Sequence, residues 1–317
     1  MVRPPFEDLI GQDAAIALLG QAIHRQRLAP AYLFAGPAGV GRSRAALRFA
    51  EVLLATEKGR AALRRRIEQR NHPDLLWVEP TYLYQGQHIT VAEAEKLGVR
   101  RKNPPLIRLE QVRDITRFLG RPTLEAPRAV VVIDGAETMA EGAANGLLKT
   151  LEEPGQATLI LIAPDTASLL PTLVSRCQLI PFRRLSQVEM GTVLETTGHR
   201  EILDHPDLLA LAQGSPGTAI AAWETLQTLP EDLLATVKQP PKTLRHALEL
   251  ARWIDKELDA ERQLWLIDYL QQHYWYNQAH ATALQALETA RCHLRRFVQP
   301  RLVWEVTLMA LVPQRPQ

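Results

Sequence analysis

The sequence predicts an α/β domain, in which a parallel sheet has helices on both faces, followed by two smaller helical parts. Short apolar runs without polar alternation, each followed by a helical pattern, dominate the first 180 or so residues. Such runs are typical of strands that are buried on both faces of a parallel sheet. Strand patterns stop after Phe182, and helical patterns run almost unbroken from residue 243 to residue 311. We therefore expect three domains, at residues 1–183, 184–236 and 237–317.

Four apolar runs and four helical patterns make up the predicted sheet domain. The strands are predicted at residues 31–35, 75–78, 129–134 and 158–163, and the helices at 13–27, 44–55, 109–119 and 143–152. The first helix is amphipathic, because apolar residues such as Ala15, Leu19 and Ile23 recur at helical spacing. Residues 82–105 follow no regular pattern, so we expect a surface insertion there.

The rest of the chain predicts helices without strands. Residues 187–197 and 206–213 have helical patterns, residues 214–217 predict a break before another helix, and residues 239–241 predict a linker. Aromatic side chains at helical spacing are typical of a bundle core. We therefore expect core positions for the tryptophans of this part, which are Trp223, Trp253, Trp265, Trp275 and Trp304.

Composition and charge indicate a folded protein with little net charge. Hydrophobic residues make up 46% of the 317 residues and charged residues 23%, as in average globular proteins, and the formal net charge is +2. The low net charge excludes the class of nucleic-acid-binding proteins that are strongly basic over the whole chain. The two cysteines, Cys177 and Cys292, indicate no disulfide framework, and no apolar run approaches the roughly 20 residues that span a bilayer. We expect a cytoplasmic protein without a metal site.

A phosphate-binding loop is predicted between the first strand and the next helix. Its glycines precede a basic residue and a serine, and the backbone N–H groups of such a loop can bind an anion. Arg42 stands where the pattern has lysine, whose compact ammonium reaches the β- and γ-phosphates. Two interpretations remain open: a structural turn without nucleotide, and weak nucleotide binding without turnover. The candidate binding residues are Gly36, Gly39, Gly41, Arg42, Ser43 and Asp134.

The residues expected to support hydrolysis differ from the ATPase pattern. Asp134 ends a predicted strand, like the Walker B carboxylate that holds Mg²⁺. The next position, where AAA+ ATPases have a glutamate that orients the attacking water, is Gly135, and Glu137 lies two residues further on. The strand at 158–163 ends in Ala163 and Pro164, which offer no polar sensor group. Three parts of one mechanism are altered, so we expect no ATP hydrolysis by this chain.

Four sequence motifs resemble those of AAA+ clamp-loader subunits. They are FEDLIGQ at residues 6–12, HPDL at 72–75, ANGLLKTLEEP at 144–154 and LVSRC at 173–177. A degenerate phosphate loop beside an intact Ser-Arg-Cys motif is similar to the delta-prime family rather than to the ATP-hydrolysing gamma/tau subunits. The resemblance covers roughly residues 6–182. It implies an AAA+ domain followed by a helical lid domain and a C-terminal helical collar domain.

The resemblance also implies partners and one functional residue. Clamp-loader subunits of this kind assemble with gamma/tau and delta in a hetero-pentamer of bacterial DNA polymerase III, which places a sliding clamp on primed DNA. Arg176, with Ser175 beside it, would be the arginine finger that acts on the ATP of a neighbouring subunit. This role requires no cofactor of the chain's own, and binding of ATP and Mg²⁺ at the degenerate site stays open. Cys177 is expected to pack rather than to react.

Two features depart from the clamp-loader pattern. Many relatives have a four-cysteine zinc module before the HPDL motif, whereas this chain has a basic helical stretch at residues 60–70. This stretch is either a solvated helix face or a contact with DNA phosphates or a neighbouring subunit. Gly217 stands where active relatives have a sensor arginine, which removes a further phosphate contact.

Two alternatives belong to other functional classes. The first is an active AAA+ ATPase in which Arg42 replaces lysine and Glu137 orients water. It predicts turnover by the isolated chain, which Asp134→Ala would abolish. The second is a DNA-binding adaptor that uses the basic stretches 60–70 and 291–301. It predicts tight, strongly salt-dependent binding of the lone chain to DNA, which the low net charge disfavours.

Overall fold

A computed structural model describes residues 6–56, 60–99, 104–277 and 281–312, without the side chains of residues 60, 61, 276 and 277. The chain divides into two units, Met1–Glu189 and Met190–Gln317. The strands of the first unit are β1 (Ala31–Ala35), β2 (Leu75–Val78), β3 (Thr81–Tyr84), β4 (Gln87–Thr90), β5 (Ala129–Asp134), β6 (Ala157–Ala163) and β7 (Gln178–Pro181). Five of them form one parallel sheet in the order β2-β5-β6-β1-β7, and β3 pairs with β4 in an antiparallel hairpin.

Helices cover both faces of the parallel sheet, as the sequence predicts. The α-helices of the first unit are α1 (Asp13–His24), α2 (Arg42–Leu54), α3 (Arg60–Glu68), α4 (Val91–Lys96), α5 (Leu109–Leu119), α6 (Glu141–Glu152) and α7 (Pro171–Val174). On one face, Phe49 of α2 packs edge-on against Tyr32 of β1, with 5.0 Å between ring centroids. On the other face, Leu33 of β1 joins a core that includes Ile115 of α5 and Leu147 of α6. The buried side chains of the central strands are therefore apolar, except for Thr158 of β6, whose hydroxyl accepts a hydrogen bond from Arg128.

Besides shifts of one or two residues in the bounds of α2, α6 and β6, three features of the first unit differ from the prediction. Helix α1 ends at His24 rather than at residue 27, because Gln26 adopts a left-handed φ of 52° and the Arg27 amide donates to the Ala22 carbonyl. The edge strand β7 was not predicted, because only Ile180 of its four residues is buried. The insertion at 82–105 contains part of the β3–β4 hairpin and all of α4, while its residues 100–103 lie outside the described residues.

The second unit is helical throughout its described residues. Its helices are α8 (Gln187–Thr196, which begins in the first unit), α9 (Pro206–Ala212), α10 (Pro216–Gln227), α11 (Glu231–Val237), α12 (Leu244–Glu257), α13 (Ala260–Asn277), α14 (Ala281–Arg295) and α15 (Pro300–Ala310). One apolar core extends from Met190 to Leu308 and surrounds the fully buried Trp304. This core takes side chains from both predicted helical domains, and their boundary at residue 236 stays a prediction.

One prediction for the helical part is wrong and another is confirmed only in part. The break predicted at residues 214–217 is present at Gly214 and Ser215, but Pro216 and Gly217 already belong to α10, which Ser215 caps by accepting a hydrogen bond from the Thr218 amide. Trp275 is 63% exposed and is not a core residue, whereas the other four tryptophans of this part lie in the core or pack against it. Each described helix is too short or too polar to cross a membrane.

Candidate functional site

The loop between β1 and α2 has a backbone that only glycine allows. The Gly36 amide donates to the Ala163 carbonyl at 3.2 Å, and a Cβ at Gly36 would lie 2.4 Å from the Phe182 carbonyl oxygen. Gly39 and Gly41 have φ values of 73° and 105°, in the left-handed region. Gly41 precedes α2 without a side chain that could cap it, so the first amides of that helix are open to an anion. The backbone of the loop therefore fits a phosphate.

Ser43 and Asp134, two of the predicted nucleotide-binding residues, contact each other. The Ser43 hydroxyl donates to Oδ2 of Asp134 at 3.0 Å. Burial raises the pKa of Asp134 above its ordinary value, although this hydrogen bond and the charge of Arg42 act in the opposite direction. A serine hydroxyl and a carboxylate at this spacing are suitable oxygen ligands for Mg²⁺. The structure thus brings together two of the residues that the sequence predicts for nucleotide binding.

Arg42 lies partly buried between carboxylates. Burial lowers the pKa of its guanidinium, and the charges of Asp134 and Glu137 oppose that change. Its Nη1 is fully enclosed and has no hydrogen-bond partner within the described part of the chain. An enclosed N–H group without a partner is costly. The positive charge of the guanidinium is therefore compensated by two carboxylates of its own chain, Asp134 and Glu137.

The turn after β5 cannot supply the glutamate of an ATPase. Gly135 has a left-handed φ of 72°, and a Cβ there would lie 2.9 Å from Cγ of Pro80. A side chain at this position would be strained and would displace Pro80. Glu137 lies beyond it in an exposed turn of 3-10 helix, and β6 ends at the fully buried Ala163. The position directly after Asp134 therefore has no side chain that could orient water, and the fold disfavours one there.

Gln12 is a residue of this site that the sequence analysis did not single out. It is 2% exposed, and its Nε2 donates to the carbonyls of Val40, at 3.2 Å, and Arg183, at 2.8 Å. Its Oε1 accepts a hydrogen bond from the Arg183 amide at 3.0 Å. Gln12 therefore ties the phosphate loop to the chain that follows β7. Its position in the FEDLIGQ motif was the only available signal.

The HPDL motif has a structural role. Asp74 is 3% exposed, and its carboxylate accepts hydrogen bonds of 2.8 Å from the amides of Leu124, Glu125 and Ala126. Burial raises the pKa of Asp74, but the three backbone hydrogen bonds outweigh it, and the net pKa is lowered. His72 accepts a hydrogen bond from the Asp74 amide through Nδ1. The motif thus fixes the loop that leads into β5.

Arg176 lies at the opposite end of the sheet from the phosphate loop. It stands two residues before β7, whereas Gly36 directly follows β1, and these two strands are parallel neighbours with Ala35 opposite Pro181. The four residues of β7 span about 13 Å. The side chain is folded back on its own chain: Nη2 lies 2.7 Å from Oε1 of Glu152, and Nη1 donates to the Thr172 carbonyl at 3.0 Å. Arg176 therefore cannot act on nucleotide in the loop of its own chain.

The neighbours of Arg176 in the motif have different environments. The Ser175 hydroxyl donates to the Thr172 carbonyl at 3.1 Å, which closes the turn after α7. Cys177 is partly buried and packs against the apolar core that includes Leu33 and Leu147. Burial raises the pKa of its thiol to about 11. A thiol with such a pKa is almost entirely protonated at neutral pH, so it is a poor nucleophile.

Arginines of the basic stretch pair with carboxylates of the first unit. Arg64 contacts Glu51 at 3.2 Å, and Arg66 makes a two-pronged ion pair with Glu125. Arg70 pairs with Glu79 at 2.6 Å. These contacts reduce the positive charge that is available for DNA phosphates. The contact with DNA or a neighbouring subunit that the sequence left open stays untested.

Two family models match the chain and together span most of it. The model described as "DNA polymerase III, delta subunit" matches residues 11–186, more than half of the chain. The model described as "Cyanobacterial DNA polymerase III delta prime, C-terminal domain" matches residues 188–311. The relationship therefore extends beyond residue 182, into helices where the sequence motifs had shown no specific resemblance.

Similar proteins agree with these models. The chain is 36% identical to DNA polymerase III subunit delta' of Pseudomonas aeruginosa, over 64% of this chain and 58% of that protein. It is 33% identical to the delta' subunit of Bacillus subtilis, over 55% of this chain and 48% of that protein. The chain thus spans about half the length of the curated relatives that it matches. A gamma subunit-related protein of Thermotoga maritima has a similar fold, with a TM-score of 0.55, 16% identity, and coverage of 94% of this chain and 98% of that chain.

Proposed function

The chain belongs to the delta-prime family of DNA polymerase III subunits, and on this basis we propose that it is a non-hydrolysing clamp-loader subunit. In this role it supplies Arg176 to the nucleotide site of a neighbouring ATPase subunit. Its partners are the gamma/tau and delta subunits, and the assembly loads a sliding clamp onto primed DNA. Similarity to the tau subunit of Bacillus subtilis, at 29% identity over 59% of this chain, supports a common subunit architecture.

The position of Arg176 is the observation that carries this proposal. The arginine and the phosphate loop lie at opposite ends of neighbouring parallel strands, so one chain cannot use both for the same nucleotide. An arginine that is half-exposed at one end of the sheet can instead face the loop of another subunit. A planar guanidinium placed beside the γ-phosphate stabilises the charge that develops during phosphoryl transfer, an effect of about 10³- to 10⁵-fold in known cases.

The loop of this chain supports the non-hydrolysing part of the proposal. Gly135 and Pro80 leave no room for a glutamate after Asp134, and Arg42 interacts with the carboxylates that surround it. Gly36, Gly41 and Ser43 would hold a phosphate if nucleotide bound, and Asp134 would face its Mg²⁺. Bound nucleotide would then stabilise the subunit without being consumed.

Reconstitution with the cognate gamma/tau and delta subunits, sliding clamp and primed DNA tests the proposal. Arg176→Ala is expected to leave assembly intact, as measured by size-exclusion chromatography. It is expected to lower the ATP hydrolysis rate of the complex by at least the part that one nucleotide site contributes. Arg117→Ala is the matched control, because Arg117 is also an exposed arginine in an ion pair with its own chain, through Asp114. An Arg176→Ala complex that assembles and hydrolyses ATP at the normal rate would refute the finger role.

A further inference from the structure

The guanidinium of Arg176 makes two contacts with its own chain. Nη2 pairs with Glu152 at 2.7 Å, and Nη1 donates to the Thr172 carbonyl at 3.0 Å. Glu152 is the last residue of α6, and Thr172 belongs to α7, so two helices fix the position of one side chain. A guanidinium has five N–H donors, and these two contacts require two of them. The remaining donors can contact a second anion while Glu152 stays bound.

The exposure of the pair suits a positioning role. The side chains of Arg176 and Glu152 are 37% and 53% exposed, so water and salt screen the negative charge of Glu152. Screening limits the repulsion between Glu152 and a phosphate of another subunit. A free arginine side chain must lose much rotational freedom when it binds, whereas one that is already held loses less.

We propose that Glu152 is a positioning residue for Arg176, which holds the guanidinium ready for the phosphate of a neighbouring subunit's nucleotide. This inference rests on the proposed function of Arg176. Glu152 does not touch nucleotide and acts only through the arginine. Because exposed ion pairs are weak, removal of the carboxylate lowers the Arg176-dependent hydrolysis about two- to fivefold rather than abolishing it.

The chain offers a matched control in the next residue. Glu153 is also an exposed glutamate at the end of α6, and its side chain has no ion pair among the described residues. Glu152→Ala removes the contact with Arg176, Glu152→Gln retains an oxygen that can accept its hydrogen bond, and Glu153→Ala alters the same region without touching the pair. All three variants keep Arg176 itself.

The experiment measures ATP hydrolysis by the full complex of gamma/tau, delta, this chain, clamp and primed DNA. Glu152→Ala is expected to lower the rate that depends on Arg176 about two- to fivefold, Glu152→Gln to lower it less, and Glu153→Ala to leave it unchanged. In the Arg176→Ala background, Glu152→Ala is expected to have no further effect. That non-additivity separates a positioning role from a general loss of structure.

Each other outcome overturns a specific claim. An unchanged or faster rate for Glu152→Ala, with a slow Arg176→Ala complex, refutes the positioning role and leaves the finger intact. An equal loss from Glu152→Ala with and without Arg176 shows a structural effect and also refutes it. A normal rate for Arg176→Ala refutes the proposed function and the positioning role together.

Discussion

Replacement of Gly135 by alanine measures how strongly the turn after β5 excludes a side chain. An L-residue with a left-handed φ costs about 1–2 kcal/mol, and the new Cβ would lie 2.9 Å from Cγ of Pro80, so the loop must also shift. We expect Gly135→Ala to lower the free energy of unfolding by about 1–3 kcal/mol. Gly20→Ala is the control, because Gly20 lies inside α1 and a Cβ added there would have no atom within 4 Å.

Urea unfolding followed by circular dichroism provides the assay for both variants. Alanine inside a helix is more favourable than glycine by about 0.5–1 kcal/mol, so Gly20→Ala is expected to raise the unfolding midpoint while Gly135→Ala lowers it. A Gly135→Ala protein as stable as the wild type would refute the reasoning. The turn would then accept a side chain at position 135, and the fold would not be the reason why a glutamate is absent there.

Two further predictions concern buried groups outside the nucleotide loop. Asp74→Ala leaves three backbone amides without their acceptor and is expected to cost at least about 3 kcal/mol of unfolding free energy, measured by urea unfolding at pH 7. The pKa of the Asp74 carboxyl is lowered in the folded state, so its ionised form stabilises the fold. This stabilisation is complete above the unfolded pKa of about 3.9 and is lost as the pH falls through the lower folded pKa. The difference in unfolding free energy between wild type and Asp74→Ala is therefore expected to shrink below pH 4, and a difference that grows there would contradict this. Cys177, with a thiol pKa of about 11, is expected to react with iodoacetamide at pH 8 far more slowly than the exposed Cys292, as followed by mass spectrometry, and equal rates would show that burial does not protect it.

Three strands of the parallel sheet and the phosphate loop could be predicted from local sequence. The strands at 31–35, 75–78 and 129–134 have the predicted bounds, because each is a short, mostly apolar run whose side chains are buried or half-buried. The phosphate loop is indicated by its glycines, which lie between a predicted strand and a predicted helix. These features depend on neighbours in sequence, which is why the pattern alone identifies them.

Features that depend on distant partners could not be predicted in the same way. Strand β7 pairs with β1, more than 140 residues earlier, and has one buried side chain to indicate it. Gln12 bonds to Arg183 across 171 positions, and Arg176 meets Glu152 across 24. Trp275 has helical spacing like the buried tryptophans, but its helix presents it to solvent. Sequence indicates which residues bear chemistry, and the register of the sheet decides which of them meet.

A complex with a single competent nucleotide site offers the most direct test of Arg176. All ATPase subunits except the one that faces this chain would carry an inactivated Walker B carboxylate, so that every hydrolysis event occurs beside Arg176. With the wild-type chain this complex is expected to hydrolyse ATP when clamp and primed DNA are present, and Arg176→Ala is expected to lower that rate at least about tenfold. Equal hydrolysis by the two complexes would show that Arg176 does not act on the neighbouring nucleotide.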